Sequence, residues 1–148
     1  MKKKSRQHGT ALVELALILP LLLLLSFITT EFGRAMYQYN TIAKSVRDAA
    51  RYLSVQQPGT NIDKAKNLVV YGNTAGTGTP LAIGLEVAKV IIPAAQAAGS
   101  NPVINTVTVT VSGYKFRPLF QSVFGLAFSN ANGDIPYSDI SATMRAPL

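Results

Sequence analysis

The chain reads as an α+β protein: a long N-terminal helix, its first half membrane-spanning, packed on a small, mainly antiparallel β-sheet. Three observations predict this. Ala11 to Thr30 is an apolar run of twenty residues, which at 1.5 Å per residue covers about 30 Å, the thickness of one bilayer core. Apolar residues then recur at three-four spacing from Met36 to Leu53, one face of a helix that continues past the span. Finally, Thr106-Val107-Thr108-Val109-Thr110-Val111 alternates strictly, the mark of a strand with one face turned to a core.

The span follows a short basic segment, Met1 to Gly9, holding Lys2, Lys3, Lys4 and Arg6. Four cations in nine positions predict a cytoplasmic N-terminus and an external remainder. The asymmetry is modest, because Arg34, Lys44 and Arg47 follow the span closely. A secretory signal would have a shorter apolar core followed by a small-residue cleavage site, and neither is present. Pro20 lies mid-span. It removes a donor and frees the carbonyl of Ala16, so it reads either as a kink or as a plain transmembrane proline. Glu14 is an acid within the same run; insertion scales put such a group at about 2.5–3.5 kcal/mol at the helix centre, and less near the interface where Glu14 falls.

From Glu31 to Gln57 there is no proline, and Gly33 is the single glycine. Met36, Tyr39, Ala43, Val46, Ala50 and Leu53 form the apolar stripe, which faces either the domain's own sheet or a partner helix. Pro58-Gly59 ends the helix. Glu31, Gly33 and Arg34 straddle the outer interface, where Arg34 can reach headgroup phosphates and Gly33 can admit another helix. Tyr37 and Tyr39 suit an interfacial aromatic belt, although Tyr39 also lies on the stripe. The resulting layout is 1–9 leader, 10–30 transmembrane helix, 31–57 extramembrane continuation, and 60–148 outer α+β domain.

In the outer domain, Thr60 or Asn61 caps a short helix running to Val70. Gly72 to Pro80 is a surface loop without the Gly-Lys-Ser/Thr ending of a phosphate loop. Leu85 to Ile92 fits a strand or a short helix, with strand preferred. Ala94 to Pro102 reads as a small-residue connector. Tyr114, Phe116, Leu119, Phe120, Phe124 and Phe128 are read as core, with a subunit contact as the alternative. Asp134, Tyr137 and Asp139 fall in turn-like sequence, and Ile140 to Met144 reads as a last strand at the sheet edge.

The composition narrows the chemistry. The 148 residues allow one small domain plus an anchor. The formal charge of +7 does not point to nucleic acid: without the four leader cations, ten basic residues face seven acids, a net of +3. With no cysteine, and with the single His8 in the leader, the remainder lacks a thiol nucleophile and the usual general base and transition-metal ligands. No cofactor, metal or small-molecule substrate is expected, and the chain is not expected to be an enzyme.

Basic leader, Gly9, four residues, Glu14 and apolar helix, in that order, resemble the processing site of the type IV prepilin superfamily. Gly9-Thr10-Ala11-Leu12-Val13-Glu14-Leu15-Ala16-Leu17-Ile18-Leu19-Pro20 is most similar to the TadE-like minor pseudopilins of tight-adherence (Tad/Flp) pili. Glu31-Phe32-Gly33-Arg34, Asp48-Ala49-Ala50-Arg51-Tyr52-Leu53 and Tyr71-Gly72-Asn73 extend the likeness. The resemblance implies cleavage by a prepilin peptidase between Gly9 and Thr10, which makes Glu14 the fifth mature residue. Glu14 would then pair with the new amine of Thr10, on the same chain or a neighbour, and set axial register; the bland alternative is a snorkelling acid. Thr10 and Leu15 replace the aromatic residues that filament-forming pilins commonly carry, which favours a minor subunit. The implied partners are the peptidase, other pilin or pseudopilin subunits with their assembly machinery, and membrane lipids, in a bacterial inner membrane. Two other functions fit the residues: an unprocessed single-pass envelope protein whose outer domain binds a partner or the cell wall, and an exported hydrolase on a tether.

Overall fold

A computed structural model describes residues 8–94, 96–123, 125–127, 129–130 and 132–146. The leader cations, Phe124 and Phe128 lie outside the described residues. Helix α1 (His8–Leu53, 46 residues) is the stem, about 69 Å long at 1.5 Å per residue. It continues through Pro20 as one helix. At the end of the apolar run, Thr29 and Thr30 donate their hydroxyls to the carbonyls of Leu25 and Ser26, at 2.8 and 2.9 Å. These back-bonds satisfy polar groups within the helix itself, as an apolar surrounding requires.

The two halves of α1 meet different surroundings. Leu12 to Leu25 is exposed at nearly every large apolar side chain, and α1 is long and apolar enough to cross a membrane. The chain is therefore membrane-anchored through one N-terminal helix. Further on, Ile42, Val46, Ala49, Ala50 and Leu53 are buried. The predicted stripe is right at Val46, Ala50 and Leu53, and Ala43 is half-buried. Met36 and Tyr39 are exposed instead, because the packed face begins only at Ile42. Ala49 and Ala50 are both buried although adjacent: α1 packs on α2 and on the sheet together, and two small side chains admit neighbours on both flanks. The helix stops at Leu53, short of the predicted Gln57, where the amide of Gln56 turns back to the Leu53 carbonyl at 3.0 Å.

Helix α2 (Ile62–Tyr71) lays Ala65, Val69 and Val70 into the core. Asn61 stands at its N-cap as predicted, but in a left-handed conformation (φ 58°) without a side-chain cap bond. Its amide reaches Gln56 Oε1 at 3.0 Å instead. Gly72 ends the helix at φ 72° and donates to the Leu68 carbonyl, a left-handed cap that glycine adopts without steric cost. The loop that follows is organised by Asn73, which donates to the carbonyl of Thr77 at 2.7 Å and accepts from its amide at 3.2 Å. Leu85 to Ile92, read as strand or helix, is in turn a buried Leu85, a 3₁₀ turn at Val87–Lys89 and the short strand β1 (Val90–Ile91).

The main sheet is centred on β3 (Ile104–Val111). On one side β8 (Ile140–Ala146) pairs with it antiparallel from Asn105↔Ala146 to Val111↔Ile140, the edge strand the sequence predicts. On the other side run β1 and β2 (Gln96–Ala98), both antiparallel to β3. The register slips by one residue between these two pieces, at the segment holding Pro93, whose ring lacks a ladder donor. Strand β2 corrects the reading of Ala94 to Pro102 as connector: alanine carries little strand propensity, and pairing with β3 supplies the order that propensity does not. Val107, Val109 and Val111 are buried and share one core cluster with Ile42 and Val46, as the alternation predicts. On the opposite face, Thr108 and Thr143 meet across strands at 2.8 Å between hydroxyls. Two small antiparallel pairs complete the head: β4 (Lys115–Phe116) with β7 (Ile135–Pro136), and β5 (Ser122–Val123) with β6 (Leu126–Ala127).

The Ile42 side chain is fully buried at the centre of this cluster. Ile42→Ala should lower the unfolding free energy of the full chain by about 2–5 kcal/mol, whereas Val55→Ala, on an exposed side chain, should change it by less than about 0.5 kcal/mol. Urea unfolding in detergent micelles measures both, and equal midpoints for the two variants would contradict the placement of the core.

Candidate assembly and membrane-interface sites

Gly9, Thr10 and Glu14 all lie at the start of α1, in its exposed part. A Cβ added at Gly9 would meet nothing within 4 Å, so the protein's own packing leaves room around the Gly9–Thr10 bond. Glu14 lies one helical turn beyond Thr10, on a helix that exposes it. No part of the head domain approaches this end within the described structure. From Glu14 to Glu31 the helix rises about 26 Å. The two groups of residues singled out in the sequence are therefore separate sites on one rod.

At the second group, Arg34 Nη1 donates to both carboxylate oxygens of Glu31, at 2.9 and 2.7 Å. The pair is one helical turn apart (i, i+3), and both side chains are partly or largely sheltered. The Arg34 guanidinium also lies over the Phe116 ring, 5.5 Å from its centroid, a cation–π contact. The arginine that the sequence offers to lipid phosphates is thus engaged within the chain. A Cβ at Gly33 would meet nothing within 4 Å, which leaves this point of the stem open on its own surface.

Around the pair the head descends along the stem as an aromatic ladder. Tyr114 Oη lies 2.8 Å from Gln38 Oε1 and 2.9 Å from the Ile83 carbonyl; its single hydrogen serves one of them at a time. Phe116 is level with Arg34. Phe120 packs on Phe27 with the rings tilted by 33° and 4.6 Å between centroids. As the chain runs from Tyr114 to Phe120, its stem partner falls from Gln38 to Phe27. Tyr137 binds the ladder together. Its hydroxyl donates to the Ala35 carbonyl at 2.7 Å, and its ring stacks on Phe116, tilts on Tyr114 and meets the edge of Tyr39.

The predicted aromatic core thus splits. Tyr114 and Phe116 are buried, while Leu119 and Phe120 are exposed. Tyr137, assigned to a turn by the sequence, is the missed residue; its signal was an aromatic among polar turn residues, which gives no hint of which helix it meets. Asp134, from the same turn-like stretch, is buried and takes Arg117 Nε at 3.1 Å and Lys115 Nζ at 3.9 Å. Because both cations are largely exposed, water screens much of that attraction.

Below this interface Phe27, Ile28, Phe32, Phe116, Pro118 and Phe120 line an apolar groove of about 310 Å³. Among the described residues no group of three or more His, Cys, Asp or Glu side chains comes together that could hold a metal ion.

The chain is thus a rod whose apolar half is bare and long enough to cross a membrane, with a small α+β head on its other half. The family model described as TadE-like protein matches residues 9–51, nearly the whole stem, and over that segment the chain is similar to that family. No curated protein and no solved structure matches.

Burial pushes the Tyr114 phenol up to about 12, with the neighbouring Tyr137 adding to the shift; burial also raises Tyr137. A raised phenol pKa means that the folded state keeps its proton longer than the unfolded state does. Its contribution to stability is complete below pH ~10 and is lost as pH rises toward 12. Alkaline titration followed by phenolate absorbance should show a late phase that Tyr114→Phe reduces. Completion of the full tyrosine titration by pH ~11 in the folded protein would rule out the burial described.

Proposed function

We propose that the protein is a minor, pilin-like subunit of a Tad/Flp pilus system, cut between Gly9 and Thr10 by a prepilin peptidase and acting in pilus biogenesis and adhesion. The observation that carries this reading is the match of residues 9–51 to the TadE-like family, on a helix whose first half is bare. The geometry supports it in two respects. A peptidase needs access to the backbone at Gly9, and among the described residues no packed side chain stands against it. An apolar helix uncovered over its first four turns and more has both lipid and neighbouring helices as available surroundings.

In this reading the protein is a substrate and a structural part, not a catalyst. It sits in a bacterial inner membrane with its N-terminus in the cytoplasm and its head outside. Its partners are the peptidase, other pilin or pseudopilin subunits, the assembly machinery and membrane lipids. Glu14 acts after the cut: it is one turn from Thr10, near enough to attract the new amine on its own chain or on a neighbour. Such a pair in an apolar layer is favourable when complete and costly when half-made, which gives subunits a preferred axial offset. Glu31, Gly33 and Arg34 form the interface motif, where the ion pair fixes the stem surface and Gly33 leaves room for another helix.

Intact mass of the natively expressed protein from membranes should lack residues 1–9, and Gly9→Ala should accumulate at full length. Glu14→Ala should be cut normally and fail to join pili. A full-length mass for the native chain would favour an unprocessed envelope protein, and normal assembly of Glu14→Ala would remove the role given to that carboxylate.

A further inference from the structure

The head domain carries its own apolar tip, and that tip ends level with the membrane anchor. Leu119 is 69% exposed and Phe120 is 37% exposed, in a loop fixed on the stem by the Phe27–Phe120 contact. Phe27 precedes Thr30, the end of the apolar run, by three residues, so it lies about 4.5 Å inside that run along the axis. The Phe120 ring centroid lies 4.6 Å from that of Phe27, which keeps the tip at the outer margin of that run. Immediately before the tip stand two cations, Lys115 and Arg117, with side chains 53% and 79% exposed; they share the one carboxylate of Asp134 and so keep a net positive charge. Phe116, between them, lies over Arg34, about 10 Å further out along the stem than Phe27. From stem to tip the order is therefore a cationic collar and then an apolar end, the order a lipid leaflet presents as phosphate and then acyl chain.

We propose that Pro118-Leu119-Phe120 is a second membrane-inserting element, which dips into the leaflet on the head side while acyl chains of that leaflet fill the groove beside it. The occupant follows from continuity. Phe27 and Ile28 line the groove and also belong to the apolar run of the anchor, so lipid surrounding the anchor reaches the groove with no boundary to cross. A packed protein partner at the same place would have to displace that lipid. The inference rests on α1 crossing a membrane and is independent of cleavage at Gly9. Insertion at two points fixes the tilt and the rotation of the head over the bilayer, which a single helix leaves free.

The chain contains no tryptophan, so a single introduced indole reports its own surroundings. Leu119→Trp, in the full chain reconstituted in phosphatidylcholine vesicles, should emit with a blue shift and lose intensity when the lipid carries bromine high on its acyl chains. Leu22→Trp, within the span, should be quenched by bromine placed deeper. Val55→Trp, on an exposed side chain beyond the packed stem, should emit as in water and not be quenched. If Leu119→Trp emits as in water while Leu22→Trp is quenched, the tip does not insert although the anchor does, and the proposal fails. A blue shift without bromine quenching would mean a second copy or another protein covers the tip, and would also overturn it. Loss of quenching at Leu22→Trp would reject the anchor itself, and with it the inserted tip.

Discussion

Burial of Ile42, Val46, Ala49, Ala50 and Leu53 against α2 and the valine face of β3 holds the head to the stem. The rest of the architecture depends on that seam. The head is small and cannot enclose a core from its own short strands; most of its sheets are pairs of two-residue strands. It completes the core by taking one face of a helix that is already fixed in the membrane. A domain of this size buries a limited share of its surface alone, so the stem is a structural part of the domain rather than a handle attached to it.

The same helix meets three surroundings in succession, and its side chains change accordingly. Leucines dominate where lipid is expected, because bulk and apolarity suffice there. Alanines enter at the seam, at Ala43, Ala49 and Ala50, where close approach matters more than area. Between them, from Glu31 to Tyr39, the stem carries the head's aromatic ladder, and discrete polar contacts join ring packing. The Tyr137 hydroxyl on the Ala35 carbonyl, the Tyr114 hydroxyl beside Gln38 and the Glu31–Arg34 pair under Phe116 hold this stretch. Each is worth a little alone. Together they align the descending chain with the stem, and so decide how far toward the membrane Phe120 reaches.

Much of this was legible in residue order. The anchor, the stem, the alternating strand β3 and the edge strand β8 all follow from local periodicity, which is a property of neighbouring residues. What escaped was set by contacts between distant ones. Tyr137 meets Ala35 from 102 residues away, and nothing near Tyr137 encodes that meeting. Strand β2 consists of Gln96, Ala97 and Ala98, residues with weak strand preference that are ordered by β3. Met36 fits the helical stripe by spacing, yet is exposed, because spacing gives the phase of a face and not where its partner begins. The residue types at Glu31 and Arg34 marked a charged pair at the end of the apolar run. The partnering of Arg34 with Glu31 and Phe116, rather than with solvent or lipid alone, required the head's position.

For the proposed assembly, the head's reach constrains which surfaces of the stem remain available. Phe120 on Phe27 and Phe116 on Arg34 occupy one side of the stem between the anchor and the seam. A neighbouring helix that packs along the full rod must then approach from another side; at Gly33 a Cβ would meet nothing within 4 Å, although the head's Pro80, Leu81 and Ile83 share a groove with it. Below Phe27 no such restriction holds, and the helix is bare around Glu14. The two proposed requirements of a pilin-like subunit thus fall on different lengths of one rod. In the assembly proposed, axial register would be set near Thr10 and Glu14, in the exposed part of the helix. Rotational choice would be set near Gly33, where the Phe116 contact and the head's Pro80, Leu81 and Ile83 narrow the approach. Because a continuous α-helix joins them, a neighbour seated at one end is already oriented at the other.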